Sequence, residues 1–177
     1  MAKRTVGSFV VETGEVVVSD PCYEKGLEKK MPLPALNGEW VSHVNLNGEN
    51  RVSSLVAVHK GTKRNGRGTW VAKGLRGVDS GQMSIFDAKH FRKEGDDSKI
   101  TPTWREYIKY EDEKDGGGFF YATCCSLTCG EDNGVKSKAG VQAHGVVSQT
   151  GYGDGSYSFA IQENDKGEAV AIRIQFC

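Results

Sequence analysis

The stretch Tyr157–Phe176 alternates apolar and polar residues with a period of two, the signature of strands with one buried face. Tyr157, Phe159 and Ile161 fall on one side, opposite Ser156, Ser158, Ala160 and Gln162. Asn164-Asp165-Lys166-Gly167 supplies a turn, and Val170, Ile172, Ile174 and Phe176 then repeat the apolar face. Side chains of this size contribute about 1.5–3 kcal/mol each when buried, and a lone hairpin cannot bury them. Other strands must therefore cover this ribbon. Just before it, Gly151-Tyr152-Gly153-Asp154-Gly155 alternates glycine with larger residues, a composition suited to backbone at positive φ or in close approach to a neighbour.

The covering strands are legible upstream. Phe9–Glu12 and Glu15–Ser19 read as two strands about Thr13-Gly14, and Asp20-Pro21 ends the second because proline lacks a ladder N–H. Residues 24–34, with mixed charge and two prolines, read as an irregular connection. Glu39–Leu46 and Val52–His59 form a second hairpin around Asn47-Gly48. Thr69–Ala72 is a short strand, and Gly77–Phe86 reads as strand, turn, strand, with Asp87 capping a single helical turn through Phe91. Thr101-Pro102 has the form of an N-cap followed by proline at the first helical position, and Trp104, Tyr107 and Ile108 share one helical face to about Tyr110. Phe119–Cys129 and Val141–Gln149 read as strands, and no long internal repeat is legible. The 23 glycines among 177 residues fit a chain of many tight turns. The expected architecture is one mainly β domain over 1–177, an antiparallel β-sandwich or partly open barrel with a short helical insert around 101–110.

The formal net charge is zero, so no global field directs the chain to nucleic acid or to an anionic membrane surface. No apolar run approaches the roughly 20 residues that span a bilayer, and no secretory hydrophobic region follows Met1-Ala2-Lys3-Arg4-Thr5. A cytoplasmic location is expected. The five cysteines are an odd number and include the adjacent pair Cys124-Cys125, ill suited to a disulfide framework, so reduced thiols are expected.

Four segments stand in a recognisable order: Val17-Val18-Ser19-Asp20-Pro21-Cys22-Tyr23, Gly38-Glu39-Trp40-Val41, Gly77-Val78-Asp79-Ser80-Gly81-Gln82 with Phe86-Asp87, and Gly151-Tyr152-Gly153-Asp154-Gly155-Ser156-Tyr157. From about Val16 to Phe176 the chain resembles the bacterial and phage family catalogued as domain of unknown function 4241, with small phage-type relatives that carry a similar Asp-Pro-Cys-Tyr segment. The resemblance implies no activity, since the family name assigns none. Its phage-type members leave room for a host-directed or anti-defence role. The basic loop at 60–68 and the region 93–138 match no motif of that family.

Asp20, Tyr23, Asp79, Asp154 and Tyr157 all sit at strand ends or in turns, where carboxylates and phenols can converge on a polar ligand or a divalent metal. The plainer reading is that turn aspartates bond their own backbone, and it is preferred here. Cys124, Cys125 and Cys129 with His144 raise the question of zinc, but on a strand at most two of these thiols share a face and no Cys-x-x-Cys pair exists. Cys22 is a nucleophile only if His43, His59, His90 or His144 meets it in space. Gly151-x-Gly153 lacks the third glycine of a dinucleotide fingerprint and precedes a strand, so no nucleotide cofactor is expected. Lys60, Lys63, Arg64 and Arg67 are the concentrated cationic stretch, and Lys63 and Arg64 are where a phosphate-bearing partner would meet the chain. With no complete catalytic constellation, no cofactor and no metal expected, the leading expectation is a non-enzymatic binding protein for a protein partner or a small polar ligand. The alternatives are a divalent-metal hydrolase or lyase on Asp20, Asp79 and Asp154, and nucleic-acid or nucleotide binding through 60–67.

Overall fold

Thr13-Gly14 turns the chain, but not into a hairpin: β1 (Ala2–Val11) and β2 (Glu15–Ser19) leave this corner in different sheets. The protein is described from a computed structural model that covers residues 2–23, 32–62, 68–93, 95–111, 117–129, 131–132, 135–136 and 138–177. After β2 come β3 (Pro32–Pro34), β4 (Gly38–Leu46), β5 (Val52–His59), β6 (Val71–Val78) and β7 (Gln82–Asp87). A 3-10 turn at Asp97–Lys99 and the helices α1 (Pro102–Glu111) and α2 (Gly118–Cys129) follow. The chain finishes with β8 (Glu131–Asp132), β9 (Val135–Lys136), β10 (Ala139–Gln142), β11 (Gly145–Gln149), β12 (Gly155–Glu163) and β13 (Ala169–Gln175).

Two antiparallel sheets face each other as a sandwich, ordered β1-β4-β5-β13-β12-β6 and β10-β11-β7-β2-β3, and neither closes into a barrel. Phe9, Trp40, Leu55, Ile85, Phe159 and Ile172 fill the space between them, so the C-terminal ribbon is covered as its pattern demands. The five-stranded sheet is buried on its outer side too. Val17, Phe86 and Val147 meet Phe91 and, from α2, Phe120 and Cys124, which explains the unbroken Val16-Val17-Val18 run.

The helix at 102–111 matches its N-cap signal, but Phe119–Cys129 is a helix and not a strand. Gly118, Phe120, Ala122, Thr123, Cys124, Cys125, Ser126 and Thr128 are all buried, so no polar stripe marks a 3.6-residue period in the sequence. Val141–Gln149 is not one strand but the hairpin β10–β11, turning at Ala143-His144. Pro32 and Pro34 lie in β3, at a sheet edge where proline costs no ladder bond.

An approximate two-fold axis relates the halves of the sandwich. It passes between β2 and β7 at Val18↔Ile85, flanked by Val17↔Phe86 and Ser19↔Ser84. It passes between β5 and β13 at Val56↔Arg173, flanked by Leu55↔Ile174 and Ala57↔Ile172. This rotation carries β1, β2, β3, β4 and β5 onto β6, β7, β11, β12 and β13, with the helices inserted in the second half. Equivalent residues make equivalent bonds. Ala35 N–H donates to the Gly14 carbonyl and Thr150 N–H to the Gly81 carbonyl, both at 2.9 Å. The Trp40 indole donates to the Leu36 carbonyl at 3.0 Å, and the Tyr157 hydroxyl to the Gly153 carbonyl at 2.8 Å.

The correspondence is tightest at two corners. Val11-Glu12-Thr13-Gly14 leads into β2 as Val78-Asp79-Ser80-Gly81 leads into β7, with Gly14 and Gly81 at φ of 75° and 66°. A buried aspartate just after β2 and another at the end of β7 each reach across to the corner of the other. Asp20 accepts from the N–H groups of Cys22, Asp79 and Ser80, each at 2.8 Å, and from the Ser80 hydroxyl at 2.6 Å. Asp87 accepts from the N–H groups of Glu12, Thr13 and Lys89 at 2.8–2.9 Å and from the Thr13 hydroxyl at 2.8 Å.

An amide in place of either carboxylate turns an N–H₂ group towards N–H donors. Asp20→Asn and Asp87→Asn are each expected to lower the unfolding free energy by roughly 2–4 kcal/mol in urea titrations, whereas exposed Asp154→Asn stays within about 0.5 kcal/mol. Burial alone pushes the Asp87 carboxyl up, but the Glu12 N–H, the Thr13 hydroxyl and N–H, and the Lys89 N–H outweigh it and hold it below its ordinary value of 3.8. The stability supplied by ionised Asp87 is therefore complete above that value and is lost as the pH falls below it. Asp87→Asn is expected to flatten the acid limb of the stability–pH profile measured by thermal melts below about pH 4.

Candidate functional site

The two-fold related corners share a scaffold and differ in what they carry. Three residues after Asp20 stands Tyr23, whose hydroxyl bonds the Asp79 carboxylate and is pushed up to about 12 by burial first and by that bond second. Three residues after Asp87 stands His90, whose Nε2 lies 2.6 Å from Glu12 Oε1. Glu12 is the two-fold mate of Asp79, and His90 that of Tyr23. A third group enters at the second corner alone. His144, from the β10–β11 turn, stacks on His90 with centroids 3.6 Å apart and planes 5° from parallel, and its Nε2 is 3.8 Å from Glu12 Oε2.

Asp87 positions all three residues through its own polar groups. Its carboxylate accepts the Glu12 N–H at 2.8 Å, its carbonyl accepts the His90 N–H at 3.0 Å, and its N–H donates to the His144 carbonyl at 2.9 Å. The hydrogen bond from His90 holds the Glu12 carboxyl below its ordinary value, against a smaller opposing effect of burial. Beside the cluster opens a cleft of about 280 Å³, lined by His90, His144, Gln142, Asp96, Asp97 and Phe86 among others. Asp96 is paired with Lys99 at 3.2 Å and Asp97 with Arg105 at 2.7 Å, so much of the negative charge on this wall is compensated.

No family model matches the chain, and no curated protein or solved structure does either. The chemistry of the site is read from its geometry.

Of the residues singled out by sequence, Asp20, Tyr23 and Asp79 do come together at the first corner, where the Asp20 oxygens accept four bonds from the chain itself. Asp154 is exposed in the glycine loop, and Tyr157 is buried with its hydroxyl on the Gly153 carbonyl. That loop reaches the first corner by its backbone, since a Cβ on Gly81 would stand 3.9 Å from the Gly153 Cα. Lys63 and Arg64 lie outside the described residues. From sequence His90 enters only as a partner for Cys22, His144 as a partner for Cys22 or a zinc ligand with the cysteines, and Glu12 does not enter as a site residue. The usable signal is the repeated pattern Glu12-Thr13-Gly14 with Asp20-x-x-Tyr23, and Asp79-Ser80-Gly81 with Asp87-x-x-His90.

The cysteines serve packing. On a helix, as on a strand, Cys125 and Cys129 share a face, and His144 lies not with them but with Glu12 and His90. Gln142 donates to Cys124 Sγ and Gln82 to Cys125 Sγ, both at 3.4 Å. Burial pushes the Cys124 thiol well up and that of Cys125 up to about 12. Cys22 is likewise pushed up to about 12, by burial first and then by Asp20. Iodoacetamide at pH 8 is expected to label exposed Cys129 and Cys177 in the folded protein and to spare Cys22, Cys124 and Cys125 until denaturant is added, as read by peptide mass spectrometry.

Proposed function

We propose that the protein is a non-enzymatic binding protein that holds a small polar ligand in the cleft beside Glu12, His90 and His144. The observation that carries this reading is the divergence of two otherwise matching corners. The scaffold needs the buried aspartate and the glycine turn, which both corners have; it does not need a histidine pair at the mouth of a cleft, which only one has. A cleft of about 280 Å³ has room for on the order of ten water-sized groups, which suits a small molecule better than a peptide segment or a nucleic acid. Imidazole nitrogens and the Gln142 amide supply donors and acceptors, and Phe86 supplies an apolar floor. A metal hydrolase built on Asp20 is the weaker reading, because four donors already occupy the oxygens of that carboxylate. Cytoplasmic residence belongs to the same proposal and is supported by five unpaired thiols, two of them sealed inside the fold.

The test is a thermal-shift screen of amino acids, sugars, nucleosides and short carboxylates. A ligand present at about 100 times its Kd is expected to add roughly 2.7 kcal/mol of stability, and His144→Ala and Gln142→Ala are expected to abolish that gain. The reading is lost if no compound stabilises the protein while a pull-down yields a stoichiometric protein partner that both variants retain. Turnover of a substrate by the purified protein would equally remove it.

A further inference from the structure

The geometry points to a divalent transition-metal site formed by Glu12, His90 and His144, with its open coordination positions facing the cleft. This inference rests on the cleft being the binding site and names what anchors the ligand there. One carboxylate oxygen and two imidazole nitrogens lie within 4.8 Å of one another, and this is the group of metal-ligating side chains that the described residues bring together. Two nitrogens and one oxygen favour zinc, iron(II) or nickel over calcium or magnesium, which take oxygen ligands. Three protein ligands leave at least one position for an outside donor, unlike the four-ligand closure of a structural zinc site.

The three ligands come from separate parts of the chain, and each is tied by its backbone to one residue. Asp87 bonds the N–H of Glu12, the N–H of His90 and the carbonyl of His144. A common anchor of this kind sets the three side chains before any ion arrives. Ligand atoms about 2.1 Å from a shared zinc stand roughly 3–3.5 Å apart in tetrahedral geometry, so on binding the His90–Glu12 contact of 2.6 Å opens and the His144–Glu12 separation of 3.8 Å closes. The imidazole planes are now parallel, and one ring turns about its Cβ–Cγ bond to aim Nε2 at the ion. The two histidines line the cleft themselves, with Gln142 and Asp96 also on its wall. The mate of this site at the other corner, Tyr23 with Asp79, lacks both nitrogens and has no third group like His144, so it is expected to bind no such ion.

The experiment is isothermal titration of the full chain with Zn²⁺, followed by Co²⁺ substitution and visible absorption. One zinc per chain is expected, and Co²⁺ is expected to give a nitrogen and oxygen ligand-field spectrum without a thiolate charge-transfer band. Glu12→Gln and His144→Ala, both at partly exposed positions, are each expected to weaken zinc binding by more than about tenfold, while Asp79→Asn leaves it unchanged. The site is disproved if zinc fails to bind, if both variants bind it as tightly as the parent, or if the cobalt spectrum shows thiolate ligation. Small-molecule stabilisation in a protein that binds no zinc would overturn the metal site and leave the cleft as the binding site. Zinc bound as expected, with no small molecule stabilising the metal-loaded protein, would uphold the metal site and remove the ligand-binding reading.

Discussion

A carboxylate taken out of water must be met by donors, and two such carboxylates hold this sandwich together. Asp20 and Asp87 are fully buried, and each is satisfied by three backbone N–H groups and one hydroxyl. Three of the four donors to each aspartate come from the turn that feeds the opposite strand, so each aspartate fixes where the chain crosses from one sheet to the other. Apolar packing between the sheets has no comparable direction. Trp40, Phe159 and Ile172 would bury a similar area if the sheets slid, but the three short bonds that cross at each corner admit one register.

Because the corners are mates under the two-fold axis, whatever differs between them is free of the scaffold's demands. Thr13 and Ser80 supply the same hydroxyl, and Gly14 and Gly81 the same left-handed turn. Glu12 and Asp79 both carry a carboxylate that faces the residue three places after the buried aspartate. There the halves part. Tyr23 closes on Asp79 as a single phenol–carboxylate bond, whereas His90 keeps its face for a second imidazole.

The sandwich, the hairpins β4–β5 and β12–β13 and the 102–111 helix are legible in the sequence, since alternation at period two and the Thr101-Pro102 start are local signals. The second helix is not, because a segment buried on nearly every side shows no period, and Phe, Thr and Cys read as strand formers. The doubling of the fold escapes for a related reason. It survives in backbone register and in a few polar positions, while mates such as Val16 and Met83, or Val17 and Ser84, share only burial. Asp20 and Asp79 stand out from sequence because aspartate before proline, or just ahead of a glycine, marks a turn, and they do lie at one corner. Glu12 is invisible by the same logic: an acidic residue at a strand end is ordinary until the chain brings two histidines to it from more than seventy residues away.

The asymmetry has a cause in the insert between β7 and β11. Helix α2 lies over the first corner: Tyr121 bonds Ser80 and Cys125, its hydroxyl pushed far up by burial, and Cys125 in turn takes a bond from Gln82. That corner is roofed. On the other side the insert contributes a wall and not a roof, since the 3-10 turn brings Asp96 and Asp97 to the cleft and the β10–β11 hairpin brings Gln142 and His144. One inserted segment thus closes one copy of a repeated corner and leaves the other beside a cleft lined by His90, His144 and Gln142.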